Sequence, residues 1–302
     1  MSLQEIAKKS KNILKPYGHT EVLLYYGLVA PKLKKYLKGK ELAAKIWLPS
    51  GNLPFFIRRG SKDEPLLIDE FNVTEKLLKT RKETEKLSDA EPTLTKQEAK
   101  IWHYFVPRKL VDFFYATNGE GVGRDIDRIF FDIDRADVPA EKAQEAARLL
   151  IENIEKDKEF NKLFKFRIFV MWTGSSFHVY LLLNRQIKNS DYEKYIAFKK
   201  DSPLDSFTGR WADAIKNQSK INVKGGHEKT KGWINIDPSQ TPSGKLCRAP
   251  FGLHIKDAKT VDGVAIPLTV QMLSDKGLVK KLQAYTPEKA VKEIDELAKR
   301  LP

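Results

Sequence analysis

Apolar residues recur along the second half of the chain with two different periods, and these periods mark its elements. Residues 128–134 (RIFFDID), 165–172 (KFRIFVMW), 176–183 (SFHVYLLL) and 232–237 (GWINID) are short β-branched and aromatic runs that read as strands. Between the first two, Pro139 opens AEKAQEAARLLIENIEK (140–156), whose apolar positions follow the three-and-four spacing of an amphipathic helix. Only Thr173, Gly174 and Ser175 separate the second strand from the third, so those two are predicted to form a hairpin. Residues 190–217 read as helical with a break near Pro203, and 267–282 and 287–301 are predicted to close the chain as helices.

The first half is less regular. Residues 3–14 carry a helical pattern with one polar face, and a second helical pattern covers 21–37, where Pro31 is predicted to begin a new turn or helix. Two strand-like runs, 41–48 (ELAAKIWL) and 53–59 (LPFFIRR), flank Pro49, Ser50, Gly51 and Asn52, a hairpin-like turn. Residues 74–99 are the most charged stretch and are predicted to form an exposed helix followed by a loop. There is no internal repeat and no low-complexity tract. Strands and helices mix without a regular βαβ alternation, which predicts an α+β architecture. A chain of 302 residues can bury a sizeable core, as one large domain or two small ones.

Charge narrows the picture. The net charge is +14 and the pI is near 9.5. Lysines and arginines neutralise phosphates and release counterions, so nucleic acid is the default partner, although the same composition also serves solubility or heat tolerance. The single cysteine, Cys247, excludes an internal disulfide and a cysteine-based zinc site, and it fits a reducing compartment. The stretch from Met1 to Leu14 is broken by lysines and does not read as a signal peptide. No apolar run reaches the ~18 residues of a membrane span. A cytoplasmic, nucleoid-associated protein without a membrane partner is therefore expected.

Four places carry residues suited to chemistry. Asp132 and Asp134 lie two apart on a strand, so both carboxylates leave one face and repel each other unless a divalent cation or water relieves them. His178 sits in an otherwise apolar strand and needs a partner, either a triphosphate or a backbone carbonyl. The small residues Gly174, Ser175 and Ser176 beside it let backbone amides approach a phosphate. Asp237 shares a face with Asn235 at a strand end closed by Pro238, where it is either a metal ligand or a turn-starting aspartate. Downstream, Lys245, Arg248 and His254 cluster as phosphate ligands or as a solvated basic loop.

In order and spacing these blocks resemble the motifs of the archaeo-eukaryotic primase (primase-polymerase) superfamily: a DxD strand (Asp132, Asp134), an SxH strand (Ser176, His178) and a hydrophobic-Asp strand (Asp237). RAPFGLH (248–254) resembles the arginine-to-histidine segment of small primase subunits. The resemblance is strongest to the polymerase domain of DNA ligase D and its stand-alone archaeal relatives. It extends to YYGLVAPKLKKYLKGKEL (25–42), PFFIRRG (54–60) and VAIPLTVQML (264–273), and so covers most of 21–60 and 125–275. Three departures stand out. Ser175 occupies the place of a usual lysine or arginine, and Gln240 that of a basic residue. His254 stands where ligase-D domains carry an arginine, and there it looks more like the replicative primases.

The resemblance implies a single primase-polymerase catalytic core over 1–302, with a modified RRM-like antiparallel sheet (121–302, with C-terminal helices) packed against an N-terminal α/β unit (1–120). It implies template-dependent addition of NTPs or dNTPs to a primer 3′-hydroxyl in end-joining repair or gap filling. Asp132, Asp134 and Asp237 would bind two divalent cations, Mn2+ or Mg2+, without zinc. Ser175, Ser176, His178, Lys245, Arg248 and His254 would cradle the triphosphate. Lys32, Lys35, Arg58 and Arg59 are candidates for template-primer or gapped DNA. An end-binding protein and a separate ligase are implied partners. Base stacking on Trp47, Tyr104 or Phe55 competes with core packing for each. Three other functions stay open: a primase that starts strands de novo, a nucleic-acid-binding protein without catalysis, and a metal-dependent nuclease.

Overall fold

The structure is a computed structural model that describes residues 2–9, 14, 21–47, 55–57, 64–84, 86–105, 109–121, 123–256 and 259–302. In chain order its elements begin with α1 (Leu3–Lys9), α2 (Glu21–Leu33), β1 (Leu42–Trp47), β2 (Phe55–Ile57), α3 (Glu75–Glu83), α4 (Leu87–Ala90), α5 (Lys96–Tyr104) and β3 (Leu110–Ala116). Next come β4 (Ile126–Asp134), α6 (Ala140–Lys156), α7 (Lys158–Leu163), β5 (Phe166–Trp172), β6 (Phe177–Ile187), α8 (Asn189–Tyr195) and α9 (Phe207–Gln218). The chain ends with β7 (Val223–Gly225), β8 (Ile234–Asp237), β9 (Leu246–Arg248), β10 (Leu253–His254), β11 (Gly263–Val264), β12 (Ile266–Leu268), α10 (Leu278–Gln283), α11 (Pro287–Lys292) and α12 (Ile294–Ala298). The architecture is α+β with mainly antiparallel sheets, as the sequence predicts. No helix among the described residues is long and apolar enough to cross a membrane.

Contacts divide the chain into two compact units. The first holds Met1–Tyr115, Arg248–Ala265 and Tyr285–Leu301, and the second holds Ala116–Cys247, Ile266–Ala284 and Pro302. Two C-terminal segments thus group with the N-terminal part of the chain.

In the first unit α2 is the central helix. Leu23, Tyr25, Tyr26, Val29, Ala30 and Leu33 are buried, and the tyrosine hydroxyls donate to Phe251 O (2.7 Å) and Val111 O (2.9 Å). Pro31 lies inside α2 instead of starting a new element. A proline there lacks the N–H that would bond to the carbonyl four residues back. Its own ring faces solvent, while buried Val29, Ala30 and Leu33 hold the turn in place. β1 pairs antiparallel with both β2 and β3, so Ala44 faces Ile57 on one side and Phe113 on the other.

The charged stretch 74–99 is not a helix followed by a loop. After α3 it forms α4 and the start of α5. Thr95 accepts from Glu98 N (3.1 Å) and Glu98 returns to Thr95 N (3.0 Å), a capping box written in the sequence as Thr-Lys-Gln-Glu. This box starts the helix that buries Ile101, Trp102 and Tyr104.

The second unit is built on one six-stranded sheet in the order β12-β5-β6-β4-β8-β7. The β5–β6 hairpin forms as predicted, with Trp172 opposite Phe177. Every pair described in it is antiparallel except β7 with β8, which is parallel. The alternation of β4 sends Ile129, Phe131 and Ile133 to one face, where the long helix α6 packs over β4 and β6. Ala140, Ala143, Ala146, Ala147, Leu150 and Ile154 form the buried stripe of α6, and its small residues let helix and sheet approach closely. α9 packs beside it, with Trp211 edge-on to Phe131 at 6.0 Å. Ser206 caps α9 through Gly209 N (3.1 Å). That glycine is required by space, since a Cβ there would lie 1.8 Å from Pro203 O.

Residues 267–282 depart from the expected helix. Ile266–Leu268 form β12 on β5, Val270–Ser274 are a 3-10 turn, and only Leu278–Gln283 are α-helical. Pro267 cannot sit within an α-helix without loss of a bond, but an edge strand accepts it. The register of Ile266 with Trp172 and Leu268 with Val170 extends the core.

Phe131→Ala is expected to lower the unfolding free energy by about 3–5 kcal/mol in urea denaturation. Leu204→Ala, at a position 60% exposed, should change it by less than about 0.5 kcal/mol.

Candidate active site

β4 runs between β6 and β8, and the register of the three strands sets the site. Asp132 lies opposite His178 on one side and opposite Asp237 on the other. Paired residues share a face, so His178, Asp132 and Asp237 form a row across three neighbouring strands on the face away from α6. Asp134 follows on that face, opposite Asn235. The structure therefore brings the three sequence-selected aspartates together. Two carboxylates at facing positions repel, which costs a few tenths of a kcal/mol to about 1 kcal/mol in a sheet. No packing requirement is visible that would place them there.

Each carboxylate has its own partner. His178 Nε2 is 3.5 Å from Asp132 Oδ1, while its Nδ1 lies 3.0 Å from the Tyr180 hydroxyl. A hydroxyl that donates to Nδ1 leaves the Nε2 proton directed at Asp132. Phe130 stands edge-on to the imidazole at 4.6 Å and fixes its plane. Asp134 accepts from Ala136 N (3.1 Å) and forms an ion pair with Lys229 Nζ (2.7 Å). That hydrogen bond, reinforced by the charges of Asp134 and Asp132, raises the Lys229 pKa. Asp237 accepts from Ser239 N (2.8 Å) and Ser239 Oγ (3.0 Å).

A buried polar lattice holds β8 against β4. Thr241 Oγ1 accepts from Phe130 N (2.9 Å) and donates to Phe130 O (3.2 Å), which extends the strand pairing past Pro238. Asn118 donates to Arg128 O (2.9 Å) and Thr241 O (2.6 Å), and its oxygen accepts from Asp127 N (2.9 Å). Asn235 donates to Gly226 O (3.0 Å) and Glu228 O (2.7 Å), and so anchors the loop that carries Lys229. Sequence reasoning missed Lys229 and did not single out Asn118 or Thr241. Nothing in a lysine-rich chain distinguishes Lys229. Buried Asn and Thr are recognisable only once their carbonyl partners are known.

The remaining sequence candidates are dispersed. Ser176 is buried and its hydroxyl donates to Ile133 O. Ser175 lies in the turn, and its carbonyl accepts from Arg135 Nε (2.8 Å). Lys245 is exposed at the border of a cavity that also reaches Asp237. Arg248 and His254 belong to the first unit. There Arg248 is buried, with Nη1 2.6 Å from Asp112 Oδ1 and donating also to Leu253 O, rather than forming part of a solvated loop. Burial pushes the Asp112 carboxyl up. Half-buried His254 lies on β10 opposite Gly263. Lys32 pairs with Asp295 at 2.5 Å, whereas Lys35 is exposed. Arg58 and Arg59 lie outside the described residues. Tyr104 is a core residue whose hydroxyl accepts from Leu66 N (3.0 Å). Trp47 is half-buried, with Lys45 Nζ 5.2 Å from its ring. For Phe55 only the strand is described.

Among the described residues no three His, Cys, Asp or Glu side chains stand at metal-ligand spacing. The reason is local: Asp132, Asp134 and Asp237 are each turned towards His178, Lys229 and Ser239. Strand register nevertheless places Asp132 opposite Asp237, with Asp134 two residues along the same strand. The donor set is carboxylate oxygen, which suits a hard divalent cation. The Lys229 ammonium already supplies positive charge at Asp134.

No protein-family model matches the chain, and no curated protein matches it in sequence. Among solved structures, the fold is similar to that of the polymerase domain from Mycobacterium tuberculosis Ligase D, determined in complex with DNA. The TM-score is 0.55 at 15% identity, over 95% of this chain and 94% of that one.

The facing carboxylates lead to a measurable consequence. In a chelator, Asp132→Asn is expected to raise the unfolding free energy by up to about 1 kcal/mol, because the repulsion with Asp237 is removed. Added Mn2+ should stabilise the unsubstituted chain and not the variant, as read by thermal denaturation at matched ionic strength.

Proposed function

We propose that this chain is a nucleotidyltransferase of the primase-polymerase kind, which extends a nucleic-acid 3′-hydroxyl with nucleoside triphosphates on a template, in gap filling or end-joining repair. The observation that carries this reading is the row His178–Asp132–Asp237 across three paired strands, with Asp134 beside it. It unites acidic groups suited to cations with an imidazole suited to phosphate. The fold likeness to a polymerase domain solved with DNA, and the net charge of +14, support the same reading.

In this mechanism Asp132, Asp134 and Asp237 would hold two divalent cations, Mn2+ or Mg2+. When bound, such a pair lowers the pKa of an attacking hydroxyl and neutralises charge on departing pyrophosphate. The chain's own residues do the rest. Asp237, on the far side of Asp132 from His178, positions the acceptor hydroxyl. His178 donates from Nε2 to the triphosphate, and Tyr180 behind it holds the ring and its tautomer. The Gly174–Ser176 turn beside it is held by Arg135, which donates to Ser175 O, and by Thr173 Oγ1, which accepts from Ser176 N (3.0 Å). The acceptor oxygen attacks the α-phosphorus in line, the bond to the β-phosphate oxygen breaks, and pyrophosphate leaves. The lysine-rich surface holds the duplex by contacts to phosphate, so binding should weaken steeply with salt.

Primer extension on gapped and unprimed templates, with rNTPs or dNTPs and with Mg2+ or Mn2+, tests this function. Incorporation is expected on gapped duplex, and Asp132→Ala with Asp134→Ala should abolish it while DNA retention on a filter persists. Unchanged incorporation by that double variant would remove the catalytic assignment. Dinucleotide synthesis on an unprimed strand would move the function to priming. Degradation of labelled DNA without triphosphates would make the chain a nuclease.

A further inference from the structure

Beyond Asp237, away from His178, the sheet ends in β7, and here the second unit forms a half-open cavity of 530 Å³. Tyr192, Phe198, Gly225, Gly226, Pro238 and Pro242 line it, and Asp237 is part of the same lining. The volume lies within the ~300–1,000 Å³ of small-ligand sites, and the lining is mostly apolar. Neither the row of aspartates nor the Gly174–Ser176 turn accounts for it.

The cavity has a built aromatic wall. The Phe198 ring lies against the two glycines so closely that a Cβ on Gly225 would be 2.2 Å from it and one on Gly226 2.7 Å. Gly226 also has φ +92°, a backbone region that side chains disfavour. Glycine at both positions is what lets an aromatic ring sit there. Tyr192 is buried, and its hydroxyl donates to Pro238 O (3.1 Å), so that wall is held without an unsatisfied polar atom.

Charge at the rim is uneven. Lys200 is paired with Glu228 (3.0 Å), and Lys224 donates to Thr230 (2.7 Å). Lys245 is exposed and has no ion pair among the described residues. Asp237, His227, Glu193 and the Tyr192 phenol complete the set of titratable groups that line the cavity. An aromatic wall, an exposed ammonium and a carboxylate at one end match one nucleoside with its adjoining phosphodiester: base to ring, phosphate to lysine, sugar hydroxyl towards Asp237.

We propose that this cavity seats the 3′-terminal nucleoside of the acceptor strand, with its base against Phe198 and its last phosphodiester beside Lys245. This inference rests on the nucleotidyltransferase reading and assigns its acceptor side. The triphosphate is on the His178 side of Asp132 and the strand end on the Asp237 side, so the two reactants meet over the aspartates from opposite directions. The cavity thereby selects strand ends that carry an intact terminal base.

The test compares oligonucleotide duplexes whose primer ends in a normal or an abasic 3′-nucleotide, in both equilibrium binding and extension. In the unsubstituted chain the abasic end is expected to bind about 5- to 100-fold more weakly. Phe198→Ala and the milder Phe198→Leu should erase that difference and raise the primer KM, with the KM for nucleoside triphosphate unchanged. Lys245→Ala should reduce the salt dependence of binding by about one phosphate contact. Circular dichroism confirms that each variant is folded. If the unsubstituted chain extends primers but does not distinguish the two ends, the cavity assignment is wrong and the nucleotidyltransferase reading survives. A changed KM for triphosphate with an unchanged primer KM would also overturn it. If no nucleotide is incorporated at all, the functional reading fails, while the binding comparison still decides whether the cavity holds a strand end.

Discussion

Electrostatic repulsion at the centre of a sheet is the constraint around which the second unit is organised. Asp132 lies on an interior strand with Asp237 directly across one ladder and His178 across the other. A sheet chosen for stability alone would place apolar or oppositely charged pairs there. Here the repulsion is tolerated because Asp132 is paired in both neighbouring ladders and the opposite face is buried under α6 and α9. The Lys229 ammonium takes up part of the excess charge at Asp134.

The two faces of this sheet thus have separate tasks. One face is a packed core of Ile129, Phe131, Ile133, Val179, Leu181 and Ile236 that holds the strands rigid. The other carries the His178–Asp132–Asp237 row beside buried Phe130, Phe169 and Tyr180, at a spacing the strands dictate. Rigidity is completed by side chains that act as backbone: Thr241 bonds both polar groups of Phe130, and Asn118 ties Arg128 to Thr241. These bonds carry strand geometry beyond the end of β8, where Pro238 and the Asp237–Ser239 turn would otherwise let Asp237 drift. The same turn shapes the cavity wall beyond it. Position of the carboxylate and shape of the neighbouring space therefore share one cause.

Basic residues show how little a charge says by itself. Arg248 and Lys32 are both phosphate-binding candidates in the sequence, yet Arg248 is buried against Asp112 and Lys32 pairs with Asp295 at the surface. Lys229, unremarked in the sequence, reaches an aspartate of the central row. The strand that carries Asp112 was likewise not singled out from the sequence, because its run LVDFFYA, apolar but for that aspartate, shows neither period clearly.

What the amino-acid sequence determined alone is whatever depends on local periodicity and short spacing. That includes β4 and its same-face aspartates, the β5–β6 hairpin, the stripe of α6 and the α+β mixture. It also contains the capping box of α5, which went unread. Tertiary structure alone decided that Pro31 stays inside a helix and that Pro267 lies on an edge strand, because burial and ladder vacancies outweigh local propensity. It alone decided that Asp237 faces Asp132, since strand register is set by hydrophobic faces meeting across the sheet rather than by either strand by itself. The partners of individual charges, and the cavity behind Phe198, likewise arise from residues far apart in the chain whose proximity no local pattern encodes.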